Sequence, residues 1–212
     1  MKILLISDKI SNLIYNINVK NNRMFNDIDL VISAGDLPFY YYDFIVSNFN
    51  VPLYFVFGNH ARPDDEKFIK ENSAFNKMGG FFNLDNKVIN YKGLLIAGLE
   101  GSFKYNNGKH QYTEFEMKMK ILRLYPKLIY NKIKYGRYLD ILVTHAPPDG
   151  IYPTGDDICH KGFVVFNKFI KKFKPKFLIH GHIHLYDRNK KRIFAVNSTK
   201  VINAYKYQIL EI

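Results

Sequence analysis

The sequence predicts an α/β protein built of two facing sheets flanked by helices. Three observations predict it. Short, continuous apolar runs recur along the chain, of the kind found in strands buried on both faces. Segments of helical periodicity separate several of these runs. Paired apolar runs joined by turn dipeptides follow, adding hairpins to the alternating pattern.

Lys2 to Ile6 reads as the first buried strand and leads into Ser7-Asp8. Ser11 to Arg23 reads as a helix, on the spacing of Leu13, Ile14 and Ile17 with Met24 beyond. Asp29 to Ala34 is the second strand, followed by Gly35-Asp36. Leu37 to Phe49 reads as a helix entered through Pro38, whose fixed φ suits a first turn. Its Tyr40-Tyr41-Tyr42 run reads mostly as packing, with one ring free to face a site. Val51 to Phe57 is the third strand and precedes Gly58-Asn59-His60. Pro63 to Lys77 reads as another helix, with Gly79-Gly80 after its end. Phe81 to Leu84, Lys87 to Tyr91 and Leu94 to Leu99 read as strands joined by Asp85-Asn86 and Lys92-Gly93 turns.

A loop and helix at about 99–137 form an insertion into a single domain spanning 1–212. Its first half, to Tyr112, is polar and aromatic. Its second half, Thr113 to Tyr135, is helical, with Thr113 and Glu116 in a capping-box arrangement. Pro126 is expected to kink or split that helix. The insertion reads either as a lid or wall of a substrate pocket or as a peripheral helical hairpin. Leu139 to Val143 is a strand ahead of Thr144-His145. Gly162 to Phe173 is a helix with an apolar stripe of Phe166, Phe169, Ile170 and Phe173. Lys176 to His180 is a strand ahead of Gly181-His182-Ile183-His184. Arg192 to Asn197 and Val201 to Ile212 read as closing antiparallel strands around a turn at 198–200.

Five of the apolar runs thus end in Asp, Asn or His, three with glycine directly before the polar residue. In open α/β sheets the ligand crevice lies beyond the carboxyl ends of the strands. Asp8, Asp36, Asn59, His60, His145, His182 and His184 are therefore placed to converge on one rim. Carboxylate, amide oxygen and imidazole suit borderline divalent ions such as Mn²⁺, Fe²⁺, Zn²⁺ or Ni²⁺. The absence of thiolates among them argues against a structural zinc or an iron–sulfur cluster. One bridging carboxylate can hold two ions about 3.5–4 Å apart, the arrangement of two-metal hydrolases, and such ions lower the pKa of bound water toward about 7.

With these blocks in order, the chain resembles the calcineurin-like metallophosphoesterase superfamily. The family pattern D-x-H, G-D, G-N-H-D/E, a strand-terminal H and G-H-x-H appears here as Asp8-Lys9-Ile10, Gly35-Asp36, Gly58-Asn59-His60-Ala61, His145 and Gly181-His182-Ile183-His184. The resemblance implies a four-layer α/β/β/α sandwich of two mixed sheets. It implies that Asp36 bridges two divalent ions, that Asp8 and His184 hold the first, and that Asn59, His145 and His182 hold the second. It gives His60 a catalytic role beside Asp36, stabilising or protonating the leaving oxygen. The activity implied is hydrolysis of a phosphate ester, most simply a phosphodiester, through attack by metal-bound hydroxide. A nuclease using the same centre and a non-catalytic metal-binding scaffold are the alternatives. Lys9, Arg62 and His160 are the candidate substrate contacts.

Two departures qualify the resemblance. Ile10 stands where the family has histidine and cannot ligate, which weakens the first site unless another group fills the gap. His160 and His110 are candidates for that gap, and each also reads as an ordinary loop histidine. Ala61 stands where a carboxylate would orient the histidine before it; Asp64 and Asp65 are near enough in sequence to substitute.

With 47% hydrophobic residues the chain of 212 can bury a sizeable core, and its single cysteine, Cys159, excludes an internal disulfide and suits a reducing cytoplasm. The first apolar run is broken by Asp8, too short for a signal peptide or a membrane span. The net charge of +12 admits nucleic acid as a partner beside a small phosphate ester or nucleotide substrate, although lysines on a solvated helix face account for much of it. The sequence leaves the oligomeric state open.

Overall fold

The structure, a computed structural model, describes residues 1–16, 19, 22–60, 80–153, 157–186 and 191–212. The helix expected at Pro63 to Lys77 lies outside the described residues, as do Ala61, Arg62, Asp64 and Asp65.

The first sheet orders its strands β13-β1-β2-β3-β4, from β1 (Lys2–Ser7), β2 (Leu30–Ser33), β3 (Leu53–Phe55), β4 (Phe81–Asn83) and β13 (Lys206–Glu211). The second orders them β11-β12-β10-β9-β6-β5, from β5 (Val88–Tyr91), β6 (Leu94–Leu99), β9 (Ile141–Thr144), β10 (Phe177–His180), β11 (Ile193–Val196) and β12 (Thr199–Asn203). A two-stranded ribbon joins β7 (Ser102–Phe103) to β8 (Gln111–Tyr112). The long helices are α1 (Phe39–Phe49), α2 (Glu114–Tyr135) and α3 (Val164–Phe173).

The period-2 alternation of strand side chains sorts the core into three slabs. Ile3 and Leu5 of β1, Leu30 and Ile32 of β2, Ile141 and Val143 of β9, and Ile179 of β10 meet between the sheets. Leu4, Ile6 and Val31 point the other way, onto Phe39, Tyr42 and Ile45 of α1. Leu142, Leu178 and Val201 face outward from the second sheet onto α2 and α3, through Met117, Leu124, Phe166 and Phe169. Helix, sheet, sheet and helix therefore stack as four layers.

Four expectations need correction. The described part of Ser11 to Arg23 is not an α-helix: turns follow Ser11, and a 3₁₀ turn at Arg23–Phe25 is capped by the Asn22 side chain. Asparagine competes for backbone hydrogen bonds there and favours turns over helix. The run Val201 to Ile212 is two strands in different sheets, because the Asn203 side chain accepts the Tyr205 N–H (2.8 Å) and Lys206 takes φ 63°, turning the chain from β12 into β13. β12 also pairs parallel with β10, so of the closing strands' described pairings those of β12 with β11 and of β13 with β1 are antiparallel and the third is not. The chain also does not split at Pro126: α2 runs unbroken for 22 residues, with Pro126 exposed.

Candidate metal centre

The site is built where strands of the two sheets end side by side. β1, β2 and β3 run parallel, as do β9 and β10, so their carboxyl ends share one rim. Three of the expected ligands leave their strands in left-handed backbone: Asp8 at φ 61°, Asp36 at φ 57° and His182 at φ 66°. Such conformations cost about 1–3 kcal/mol each and persist where the surroundings fix them. The glycines beside them make room. A Cβ on Gly58 would stand 2.0 Å from Oδ1 of Asp36, and one on Gly181 would stand 2.7 Å from Oδ2 of Asp8.

Asp8, Asp36 and His145 bring one ligand atom each to within 4.8 Å of one another. Oδ2 of Asp36 lies 3.2 Å from Nε2 of His145, and Oδ1 of Asn59 lies 3.0 Å from the same nitrogen. The other ring nitrogen of His145 is 2.7 Å from the Ala34 carbonyl oxygen, so Nδ1 carries the proton and donates. Asp8 accepts the His182 N–H with both oxygens, at 2.9 and 3.1 Å. Nε2 of His182 donates to the Cys159 carbonyl at 2.6 Å, which leaves Nδ1 as the lone-pair nitrogen. The rings of His145 and His182 are 4.9 Å apart. Nε2 of His184 is 3.7 Å from Oδ1 of Asp8, and its Nδ1 is 3.0 Å from the Tyr186 hydroxyl. The exposed His60 is tied in by its backbone, donating to Oδ1 of Asp36 at 2.9 Å.

The electrostatics follow from this packing. Burial alone would raise the Asp36 carboxyl; the adjacent His145 overrides it and brings the value down to about 2. Burial alone would lower His145; the Asp36 carboxylate overrides that and lifts it to about 9. His182 is pushed down to about 3, by burial first and by His145 second, so it is neutral. His184 is raised chiefly by its interaction with Asp8. Oxygens of Asp36 and Asn59 thus crowd Nε2 of the protonated His145, and a divalent ion bound at that point would take the place of the Nε2 proton. The Nδ1–H of His145 is held by a carbonyl, the outer support expected of a metal-ligating imidazole. The donor set fits a divalent ion of the borderline class.

The structure brings Asp8, Asp36, Asn59, His145, His182 and His184 together, with His60 on the same rim. The candidate substrate contacts are more spread out. His160 bonds Asp157 (2.5 Å) and shares a small surface cleft of about 270 Å³ with Tyr152, His184 and Tyr186. Its ring lies 5.3 Å from that of His182. Lys9 lines a groove of about 1080 Å³ with Ile10, Tyr186, Arg192 and Lys206. Arg62 lies outside the described residues. Ile10 packs against the apolar cluster around Leu4 and Ile6. His110 stacks on Phe57 (4.9 Å) and pairs with Glu100 (3.1 Å).

A model of the calcineurin-like phosphoesterase family matches residues 1–186. The chain belongs to that family. The calcineurin-like phosphoesterases bind divalent metals, and the Asp8, Asp36 and His145 cluster stands where two sheets of that fold meet. One solved crystal structure aligns with a TM-score of 0.68 at 16% identity, covering 99% of this chain and 94% of the other. TT1561 of Thermus thermophilus aligns with a TM-score of 0.65 at 16% identity, over 96% of this chain and 88% of that one. GAP50, described as the anchor in the inner membrane complex of Plasmodium, aligns at 0.52 and 15% identity, over 96% and 70%. At these identities the likeness is one of fold. No protein of curated function matches the sequence significantly.

One residue beside the candidate metal centre of this member of the calcineurin-like phosphoesterase family was not foreseen. The Asn59 amide donates from Nδ2 to the Tyr105 hydroxyl at 3.0 Å, which turns Oδ1 toward His145. Tyr105 comes from the polar, aromatic loop, so that half of the 99–137 segment borders the site. The helical half covers the second sheet instead, burying Met117, Ile121, Leu124 and Leu128. No sequence signal singles out Tyr105 among the aromatics of its loop. Among the described residues no helix is long and apolar enough to cross a membrane.

Proposed function

We propose that this member of the family is an active metal-dependent phosphoesterase that acts on phosphodiesters, from one domain in which residues 99–137 supply a loop and a helix. The observation that carries the reading is the convergence of two carboxylates from one sheet with an imidazole from the other, their ligand atoms within 4.8 Å. Asp36 sits between the two halves of the site and would bridge two ions. Asp8 and His184 would hold the first, and Asn59, His145 and His182 the second. Divalent ions so held would supply Lewis acidity toward a phosphoryl oxygen and ionise water near neutral pH.

The chain's own residues do the rest. Asp36 is kept ionised by His145. Tyr105 and the Ala34 and Cys159 carbonyls fix the orientation of Asn59, His145 and His182. His60, anchored by its backbone to Asp36, stands exposed at the rim, and its imidazole would serve to give a proton to the leaving oxygen.

The test is elemental analysis beside turnover of bis(p-nitrophenyl) phosphate with Mn²⁺, Zn²⁺, Ni²⁺ and Fe²⁺. Asp36→Asn is expected to lose both metal and turnover, and a fully active Asp36→Asn protein refutes the assignment. Removing His60 is expected to lower kcat while metal content stays. Wild-type protein that binds metal but turns over no ester is instead a scaffold.

The groove bearing Lys9, Arg192 and Lys206 favours a second reading, a nuclease using the same centre. That reading requires oligonucleotide binding that weakens steeply with salt, and it fails if no oligonucleotide is cleaved or retained at low salt.

A further inference from the structure

Helix α2 carries two apolar faces, and only one is covered. Met117, Ile121, Leu124 and Leu128 face the second sheet and α3. On the opposite side stand Phe115, Met119, Leu122, Pro126, Ile129 and Ile133, all exposed. Ile133 is 82% exposed and Phe115 69%. Along the helix they are spaced alternately four and three residues apart. At 3.6 residues per turn that spacing makes a straight seam about 27 Å long. A surface helix ordinarily turns polar residues to water, so a continuous outward seam of this kind marks an interaction surface.

The borders of the seam are cationic on both sides. Lys118 and Lys132 lie seven residues to either side of Tyr125, on the flank facing α3, where Lys172 reaches the Tyr125 hydroxyl at 3.4 Å. Arg123, Lys127 and Lys134 line the other flank, and the two lysines lie 4.9 and 5.6 Å over the Tyr130 ring. The acids nearby are already engaged. Glu114 accepts the N–H groups of Val164 and Val165 at the start of α3, and Glu116 closes the capping box with Thr113.

We propose that this face docks an amphipathic helix of a partner protein, one with an apolar seam of its own and acidic residues along its borders. The alternation of four and three residues is the period at which a facing helix presents its side chains. Acidic border residues would pair with Lys118, Lys132, Arg123, Lys127 and Lys134, in the manner of residues flanking a coiled-coil seam. A second copy of this chain is a poor occupant, because it would set those cations against their equals in a chain of net charge +12. The surface is independent of the metal centre and does not rest on the phosphoesterase reading.

The probe is a synthetic peptide of about three heptads, with leucine at the seam positions and glutamate along the borders. Its binding to the full-length protein is read by fluorescence anisotropy. The wild type is expected to bind it. Leu122→Glu with Ile133→Glu should weaken binding at least about tenfold, with an unchanged circular dichroism spectrum, since both side chains are exposed. Arg123→Glu with Lys127→Glu leaves the seam intact and should shift preference toward a lysine-bordered peptide. The proposal is overturned if the wild type ignores the peptide, or if the seam variant binds it equally well. It is also overturned if sedimentation shows the seam consumed by self-association. Retention on phosphatidylserine vesicles, lost in the seam variant and without peptide binding, replaces it with a membrane surface.

Discussion

At the scale of single residues, the ligand cluster is held by backbone as much as by side chains. Asp8, Asp36 and His182 each take a left-handed conformation that most side chains disfavour, and Gly58 lies so close to Asp36 that any side chain there would displace the carboxylate. Ile10, at the position where the resemblance implies a histidine ligand, joins the apolar cluster beneath. Changes outside a ligand set alone move metal affinity by about 10–100-fold. Ile10→His is therefore expected to tighten metal retention by at least about tenfold, measured by elemental analysis after dialysis against a chelator. Unchanged affinity and stoichiometry mean that another group already serves the first ion. The six clustered side chains were legible in the sequence because each follows an apolar run that ends in a polar residue, often after glycine. Tyr105 and the Ala34 and Cys159 carbonyls were not, because orientation by a distant hydroxyl or a backbone oxygen leaves no residue-type signature.

Among the elements, α2 shows what periodicity can and cannot reveal. Its capping box was readable from Thr113 and Glu116, and the structure has both halves of it. Less visible was Lys120, buried on the inner face, where Nζ meets Asp85 at 2.8 Å and Glu100 at 3.4 Å. Removing one partner of a buried ion pair leaves the others uncompensated and costs about 3–5 kcal/mol. Lys120→Met is expected to lose that much stability in urea unfolding at pH 7; a loss below about 1 kcal/mol would show the cluster to be hydrated and weak. The same cluster sets an acid limb. Burial would raise Glu100, but hydrogen bonding from His110, the Lys120 charge and the Tyr112 hydroxyl hold it below its ordinary range. A carboxyl depressed in the folded state stabilises above its unfolded pKa of about 4.3, and that stability is lost as pH falls through the folded value. Glu100→Gln should accordingly unfold with a shallower dependence on pH below about 4. The closing strands show the opposite failure of legibility. Apolar alternation runs on from Val201 to Ile209 without glycine or proline, so the switch between sheets at Asn203 to Lys206 is invisible to a reading by period.

For the whole molecule, the relevant quantities are charge and layering. A net charge of +12 steers anions toward the protein from beyond contact range, and salt screens that attraction over a Debye length of about 8–10 Å near physiological ionic strength. For an anionic ester, kcat/KM is expected to fall as salt rises from about 0.01 to 0.2 M while kcat holds; a parallel fall in both would place the salt effect on the site itself. The four-layer order was legible from runs apolar on both faces, since such strands require cover on each side. The pairing of the edges was not, since β13 returns from the far end of the chain to lie beside β1.

The carboxylates and the asparagine leave the first sheet, whereas the histidines of the cluster leave the second. Between them lies a slab in which Ile3, Leu5, Ile32, Ile141, Val143 and Ile179 touch through aliphatic surface without directional bonds, and the hydrogen bonds that tie one sheet to the other lie at its margins, among them His145 to the Ala34 carbonyl and the His182 N–H to Asp8. Cations gripped from both sides would act as rivets through that slippery seam. Loading and registry of the layers would then be a single equilibrium, so damage deep in the sandwich would surface first as a leaky centre.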